Sequence, residues 1–195
     1  MPKNSLIMKA KLIIISLLSS LMFVSCKNEE KKADNNEDSI KVEKPKSLTF
    51  DVSVDLVIPT DDELILLYKD GSNLEFIDAN TVWAGVKGSN NTQKVLFSLP
   101  EGVVPTDLRL DIGRNEFKGL KFIEIKKITI SYLDNKFEIN QNEINNYFEA
   151  NQFIEFNPQN NLYTFKKDAK GNYDPNFLVK EPLHAQLKRV SGLKL

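Results

Sequence analysis

The chain has 195 residues, with 26 Lys and Arg against 27 Asp and Glu, one His, one Cys and one Trp. Residues 1–25 hold three lysines and no acid, so 23 basic and 27 acidic side chains lie beyond them, a net charge near −4. That balance excludes nucleic-acid binding through a basic stripe, and a lone cysteine excludes an intrachain disulfide or a zinc site built on several thiolates.

The first element is a leader. Lys3, Lys9 and Lys11 precede Leu12 to Val24, a run without charge. It is shorter than the ~20 apolar residues that span a bilayer comfortably, which predicts a signal segment rather than an anchor. Met8-Lys9-Ala10-Lys11 opens a more compact signal within it. The run ends in Leu21-Met22-Phe23-Val24-Ser25-Cys26, small Ser25 standing directly before the cysteine. This resembles the lipobox of bacterial lipoproteins, with Phe23 where the family usually has Leu. The resemblance implies cleavage before Cys26 and a diacylglyceryl group on its thiol, with palmitate-type acyl chains. It makes the lipid the membrane partner and the outer membrane the expected location. An ordinary secretory signal and an uncleaved anchor are the alternatives.

Residues 26–45 read as a disordered tether. From Lys27 to Lys44 the only apolar residues are Ala33, Ile40 and Val42, too few to offset the entropy of ordering. Cys26-Lys27-Asn28-Glu29-Glu30 is similar to the charged signal that follows the lipidated cysteine in Bacteroidota lipoproteins sent to the cell surface, with Asn28 inserted before the acids. Asp38-Ser39-Ile40 fits the Bacteroidota O-glycosylation pattern, which makes Ser39 a candidate acceptor.

The folded part starts near residue 46. Phe50, Val52, Val54, Leu56 and Ile58 alternate with polar residues, which predicts a strand with one wet face. Pro59 stops it. Leu64 to Tyr68, Thr81 to Val86 and Gln93 to Leu99 are further strands. Leu108, Leu110 and Ile112 point inward on the next, with Asp107, Arg109 and Asp111 outward. In Leu120 to Tyr132 the apolar parity shifts between Ile125 and Ile128, which predicts one extra residue near Lys126-Lys127, from a β-bulge or a strand that changes sheets. Lys136 to Ile139 closes the series. Short strands at this spacing indicate an all-β, antiparallel sandwich over residues 46–139. Residues 140–195 read as a small α/β appendage. It begins with a helix over about 141–150, opened by an Asn140/Glu143 capping box. Strand pieces follow at Phe153–Phe156 and Leu162–Lys166. A weak helical stripe of Leu183, Leu187 and Val190 reads as peripheral.

No nucleophile elbow, zinc-protease helix, phosphate loop or dinucleotide fingerprint occurs. His184 is the only histidine, and its place after a proline in the tail reads as a surface position. No catalytic residue, metal ligand set or cofactor is assigned. Asp61, Asp62 and Glu63 read as a solvated turn, with calcium ligation as the alternative. Arg109 and Asp111 read first as a cross-strand charge ladder, and second as hydrogen-bonding partners of sugar hydroxyls. Trp83 reads first as the large core side chain of the sandwich and second as a stacking platform for a pyranose.

Trp83-Ala84-Gly85-Val86-Lys87-Gly88, Gln93 to Pro100 and Leu108-Arg109-Leu110-Asp111-Ile112-Gly113 together resemble a β-sandwich module of bacterial cell-envelope proteins, with jelly-roll or carbohydrate-binding-module-like folds. The resemblance implies non-catalytic binding of glycan or envelope polysaccharide and carries no site residues of its own. A structural or assembly lipoprotein that docks an envelope protein is the rival reading, and a glycan-processing enzyme the third.

Overall fold

The alternation of residues 50–58 is realised as a strand over Asp51–Ile58, and Phe50 just before it and Val52, Val54, Leu56 and Ile58 within it are all buried. The computed structural model describes residues 48–72, 74–113 and 119–192. Cys26, Ser39 and the expected signal and tether lie outside these residues. In chain order the strands are β1 (Asp51–Ile58), β2 (Asp62–Lys69), β3 (Thr81–Val86), β4 (Ser89–Ser98), β5 (Asp107–Asp111), β6 (Phe122–Tyr132) and β7 (Asn135–Asn140). A 3-10 turn (Gln141–Glu143) and a single α-turn, α1 (Ile144–Tyr147), lead into β8 (Phe148–Ala150), β9 (Ile154–Asn157), β10 (Leu162–Phe165) and β11 (Asn176–Val179). Helix α2 (Glu181–Ser191) follows.

The protein is all-β, with two antiparallel sheets. One runs β4-β1-β6-β10-β9, with β7 also paired to β6; the other runs β3-β2-β5-β11-β8. Their inner faces share one core. Val52, Leu56, Ile123 and Ile130 come from the first sheet, and Leu64, Leu66, Leu108 and Phe177 from the second.

The parity shift in β6 is a bulge. Asp55 pairs with Lys127 but its neighbour Leu56 pairs with Ile125, so Lys126 is the extra residue. Ile125 and Ile128 are each 1% exposed despite their opposite parity. A regular strand would have turned one of them to water. Lys126 instead points outward and binds Glu124.

The C-terminal residues differ from the expectation of an appendage. Strand β6 extends beyond its partner β7, and Ile123 and Phe122 pair there with Tyr163 and Thr164 of β10. Strand β11 inserts between β5 and β8 in the second sheet. The boundary placed at residue 139 therefore separates nothing in the sheets. The helix expected over 141–150 stops at Tyr147, because Phe148 turns extended and pairs with Val179. Its capping box is present, with Glu143 Oε2 accepting the Asn140 backbone N–H at 3.3 Å. The tail stripe is helical but not peripheral. Leu183, Leu187 and Val190 of α2 are buried in the core, at about 1.5–3 kcal/mol each for such side chains. Gly192 ends the helix at φ 74°, a left-handed cap that suits glycine.

Candidate functional site

The alternation of strands in the second sheet decides which side chains leave the core. On β2, Leu64, Leu66 and Tyr68 point into it, so Ile65 and Leu67 point to the outer face. An outer face is ordinarily wet, yet Ile65 is 2% exposed and Leu67 9%. The cover comes from neighbouring strands and loops. Registers place Trp83, Ile65, Asp111 and Asn176 in one row across β3, β2, β5 and β11. Thr81, Leu67, Arg109 and Leu178 form the row beside it.

The β3, β2 and β5 members of these rows line a groove of about 450 Å³, within the usual range of about 300–1,000 Å³ for small-molecule sites. Ile65 and Leu67 line it at the level of the sheet, between Trp83 and Thr81 of β3 and Arg109 and Asp111 of β5. Two strand spacings separate Trp83 from Asp111, about 9–10 Å along the hydrogen-bonding direction. Phe76 and Asp78 from the β2–β3 connection and Tyr173, Asp174 and Pro175 from the loop before β11 complete the lining.

Trp83 is 54% exposed, which corrects its first reading as a core residue. Odd parity on β3 puts it opposite Val82 and Ala84, which pack on the core. Its indole Nε1–H donates to Thr81 Oγ1 at 3.2 Å, and Thr81 donates in turn to the Asp78 carbonyl at 3.0 Å. The ring is thus held in orientation while about half of the residue is exposed. Tyr68, by contrast, is 5% exposed in the core, and Phe76 lies under the Lys69 ammonium, 4.4 Å from the ring centre.

Arg109 and Asp111 are side by side as two-residue spacing requires. Arg109 Nε donates to Asp111 Oδ1 at 2.7 Å and Nη2 donates to Oδ2 at 3.0 Å. Nη2 also reaches both oxygens of Asp174, at 3.1 and 3.2 Å. The ladder is therefore a bidentate pair with a third member, and bidentate geometry fixes the guanidinium plane. Asp174 was not legible as a site residue, since nothing in Asp174-Pro175-Asn176 reveals that β11 pairs with β5.

The other singled-out groups have structural partners elsewhere. Asp62 is buried rather than a solvated turn residue, and its Oδ2 accepts the Gly113 N–H at 2.7 Å. Asp61 accepts from Gly88 N–H and Lys87 Nζ, each at 2.9 Å. A side chain at Gly88 would lie 2.6 Å from the Pro59 carbonyl oxygen, so this approach requires glycine. Glu63 is exposed. Among the described residues no three His, Cys, Asp or Glu side chains converge as a metal site. His184 docks α2 on β5, with Nε2 3.1 Å from Asp107 Oδ1 and Nδ1 3.3 Å from Glu181 Oε2.

No protein-family model matches the chain, and neither a curated protein nor a solved structure is similar to it at a significant level.

Proposed function

We propose that this protein is a lipoprotein of the bacterial outer membrane, held by an acylated Cys26, that binds glycan without catalysis in the groove on its second sheet. The observation that carries the reading is the half-exposed Trp83 ring, fixed by Thr81 above an apolar floor and facing a bidentate Arg109–Asp111 pair. An indole face complements the apolar C–H face of a pyranose, and each aromatic contact of this kind contributes about 0.5–1.5 kcal/mol. Planar carboxylate and guanidinium groups supply oriented acceptors and donors for ring hydroxyls.

Affinity electrophoresis tests the reading. In native gels cast with soluble polysaccharides, the purified protein is retarded in at least one gel, and Trp83→Ala migrates freely there while keeping a cooperative melt. Equal mobility of the two proteins in every gel refutes it.

The rival reading, docking of an envelope protein, has its own support in β4. Among the described residues this ten-residue strand pairs only with β1, at the edge of the first sheet, and it exposes Leu96 at 55%. Such an edge accepts an added strand. Under that reading Leu96→Lys releases a co-purifying envelope protein and Trp83→Ala does not.

A further inference from the structure

We infer that the edge of β4 is a site of self-association, at which the β4 strands of two copies of this chain pair antiparallel about a two-fold axis and join their first sheets into one. The inference is independent of the glycan reading, which concerns the second sheet. Phe50 O accepts the Leu99 N–H at 2.9 Å, and the register continues regularly through Val52–Phe97 and Val54–Val95 to Leu56–Gln93. Backbone groups alternate sides along an antiparallel strand. Leu99, Phe97, Val95 and Gln93 therefore turn their N–H and C=O groups to β1, and Ser98, Leu96, Lys94 and Thr92 turn theirs away. Among the described residues nothing pairs with that side of β4. The opposite flank of the sheet is treated differently, since α2 lies along β7 and its Val190 carbonyl accepts from Asn135 Nδ2 at 3.0 Å. A bare edge is a template for another strand. β4 carries no proline, and Lys94 is its one charge.

That charge selects the partner and the register, because β4 is complementary to itself in one alignment. In a continuous sheet the outer-face residues Thr92, Lys94, Leu96 and Ser98 meet outer-face residues of the second copy. An axis at Lys94 sets like charges directly opposite, which is destabilising. An axis at Leu96 aligns only the short stretch from Lys94 to Ser98. An axis at Gln93 runs the pairing through Asn90, beyond the point where the register with β1 shifts. An axis at Val95 avoids all three. It pairs Lys94 with Leu96 and Thr92 with Ser98 of the second copy, each pair exchanging both N–H···O bonds. Leu96, 55% exposed, then lies along the aliphatic stem of the facing Lys94, while that ammonium keeps its own Asp55 at 3.8 Å. The contact is isologous and closes on itself, as two-fold dimers do.

The test places a photo-crosslinking phenylalanine analogue at Ser98 of the full chain in bacterial cells and compares Leu, Lys and Glu at position 96. Leu96→Lys sets a like charge opposite Lys94 on both sides of the axis, and Leu96→Glu sets an opposite one. The two substitutions are equally unsuited to an apolar patch. The expected adduct has twice the mass of the protein, and its cross-link maps to Thr92 or the residue on either side. Leu96→Lys lowers its yield about tenfold, from two like-charge contacts each worth up to about fivefold in water-like surroundings. Leu96→Glu preserves the yield. Equal yields from the two variants, no adduct at twice the mass, or an adduct formed only with a different protein overturns the inference. A cross-link that maps elsewhere on the second copy overturns it as well, and that result needs no substitution at position 96.

Discussion

Two truncations in the same cross-strand row separate a binding platform from a structural side chain. Trp83 and Ile65 are paired neighbours on β3 and β2, yet Trp83 is 54% exposed and Ile65 only 2%. A fully buried Trp→Ala costs about 3–5 kcal/mol. Slightly under half of Trp83 is out of water, so the same scale gives about 1.4–2.3 kcal/mol for Trp83→Ala. Ile65→Ala removes an almost fully buried side chain and costs about 2–5 kcal/mol. For a domain of this size each kcal/mol lowers Tm by about 2–4 °C. Trp83→Ala should therefore melt about 3–9 °C below the parent, and Ile65→Ala about 4–20 °C below. Differential scanning calorimetry of the three proteins at one pH gives both shifts. The reasoning fails if Trp83→Ala loses as much as or more than Ile65→Ala, or no longer melts cooperatively, since the indole would then be holding the sheet together.

Three further outcomes follow from other parts of the molecule. Deleting Lys126 removes the bulge and forces either Ile123 and Ile125 or Ile128 and Ile130 to the wet face, so the deletion variant should lose its cooperative thermal transition, whereas Lys126→Ala should keep it. Burial pushes the Tyr163 hydroxyl up to about 12 from the ordinary 10.0, opposed by its hydrogen bond to Asn145. The neutral form is favoured in the folded state, so this contribution is complete below pH 10 and declines as pH rises from 10 through about 12. A denaturation series across that window should show stability falling, with less fall in Tyr163→Phe. Cys26→Ser should abolish incorporation of labelled palmitate and release the protein from membranes; pelleting that persists after a high-salt wash counts against lipid anchoring.

Much of the fold was legible because its signals are local. Alternation in β1 and β5 told inner from outer residues, and a change of parity located the bulge at Lys126 to within a residue. The outer position of Arg109 and Asp111 followed from the same period of two. What escaped depends on pairing between distant segments. Strand β11 has only four residues, follows a turn and is recognisable through its registers with β5 and β8, which no local pattern records. Its place in the second sheet brings Asp174 onto Arg109, 65 residues away in sequence. The tail stripe in α2 was visible, but that it closes the core beside β6 and β7 was not. Trp83 illustrates the limit of residue type as a guide. Indole size favours the interior, whereas parity on β3, with Val82 and Ala84 packing on the core, puts it outside.

The central claim is that a saccharide stacks on the half-exposed ring of Trp83. Because it is the only tryptophan, the intrinsic fluorescence of the whole protein reports on it alone. The decisive measurement is acrylamide quenching of that emission, without and with a saturating amount of the soluble polysaccharide that most retards the protein in native gels. The account predicts red-shifted, readily quenched emission in the free protein and a clear drop in the quenching constant on addition of the saccharide. Emission that is blue-shifted and resists acrylamide from the start, or a quenching constant that the saccharide leaves unchanged, contradicts it.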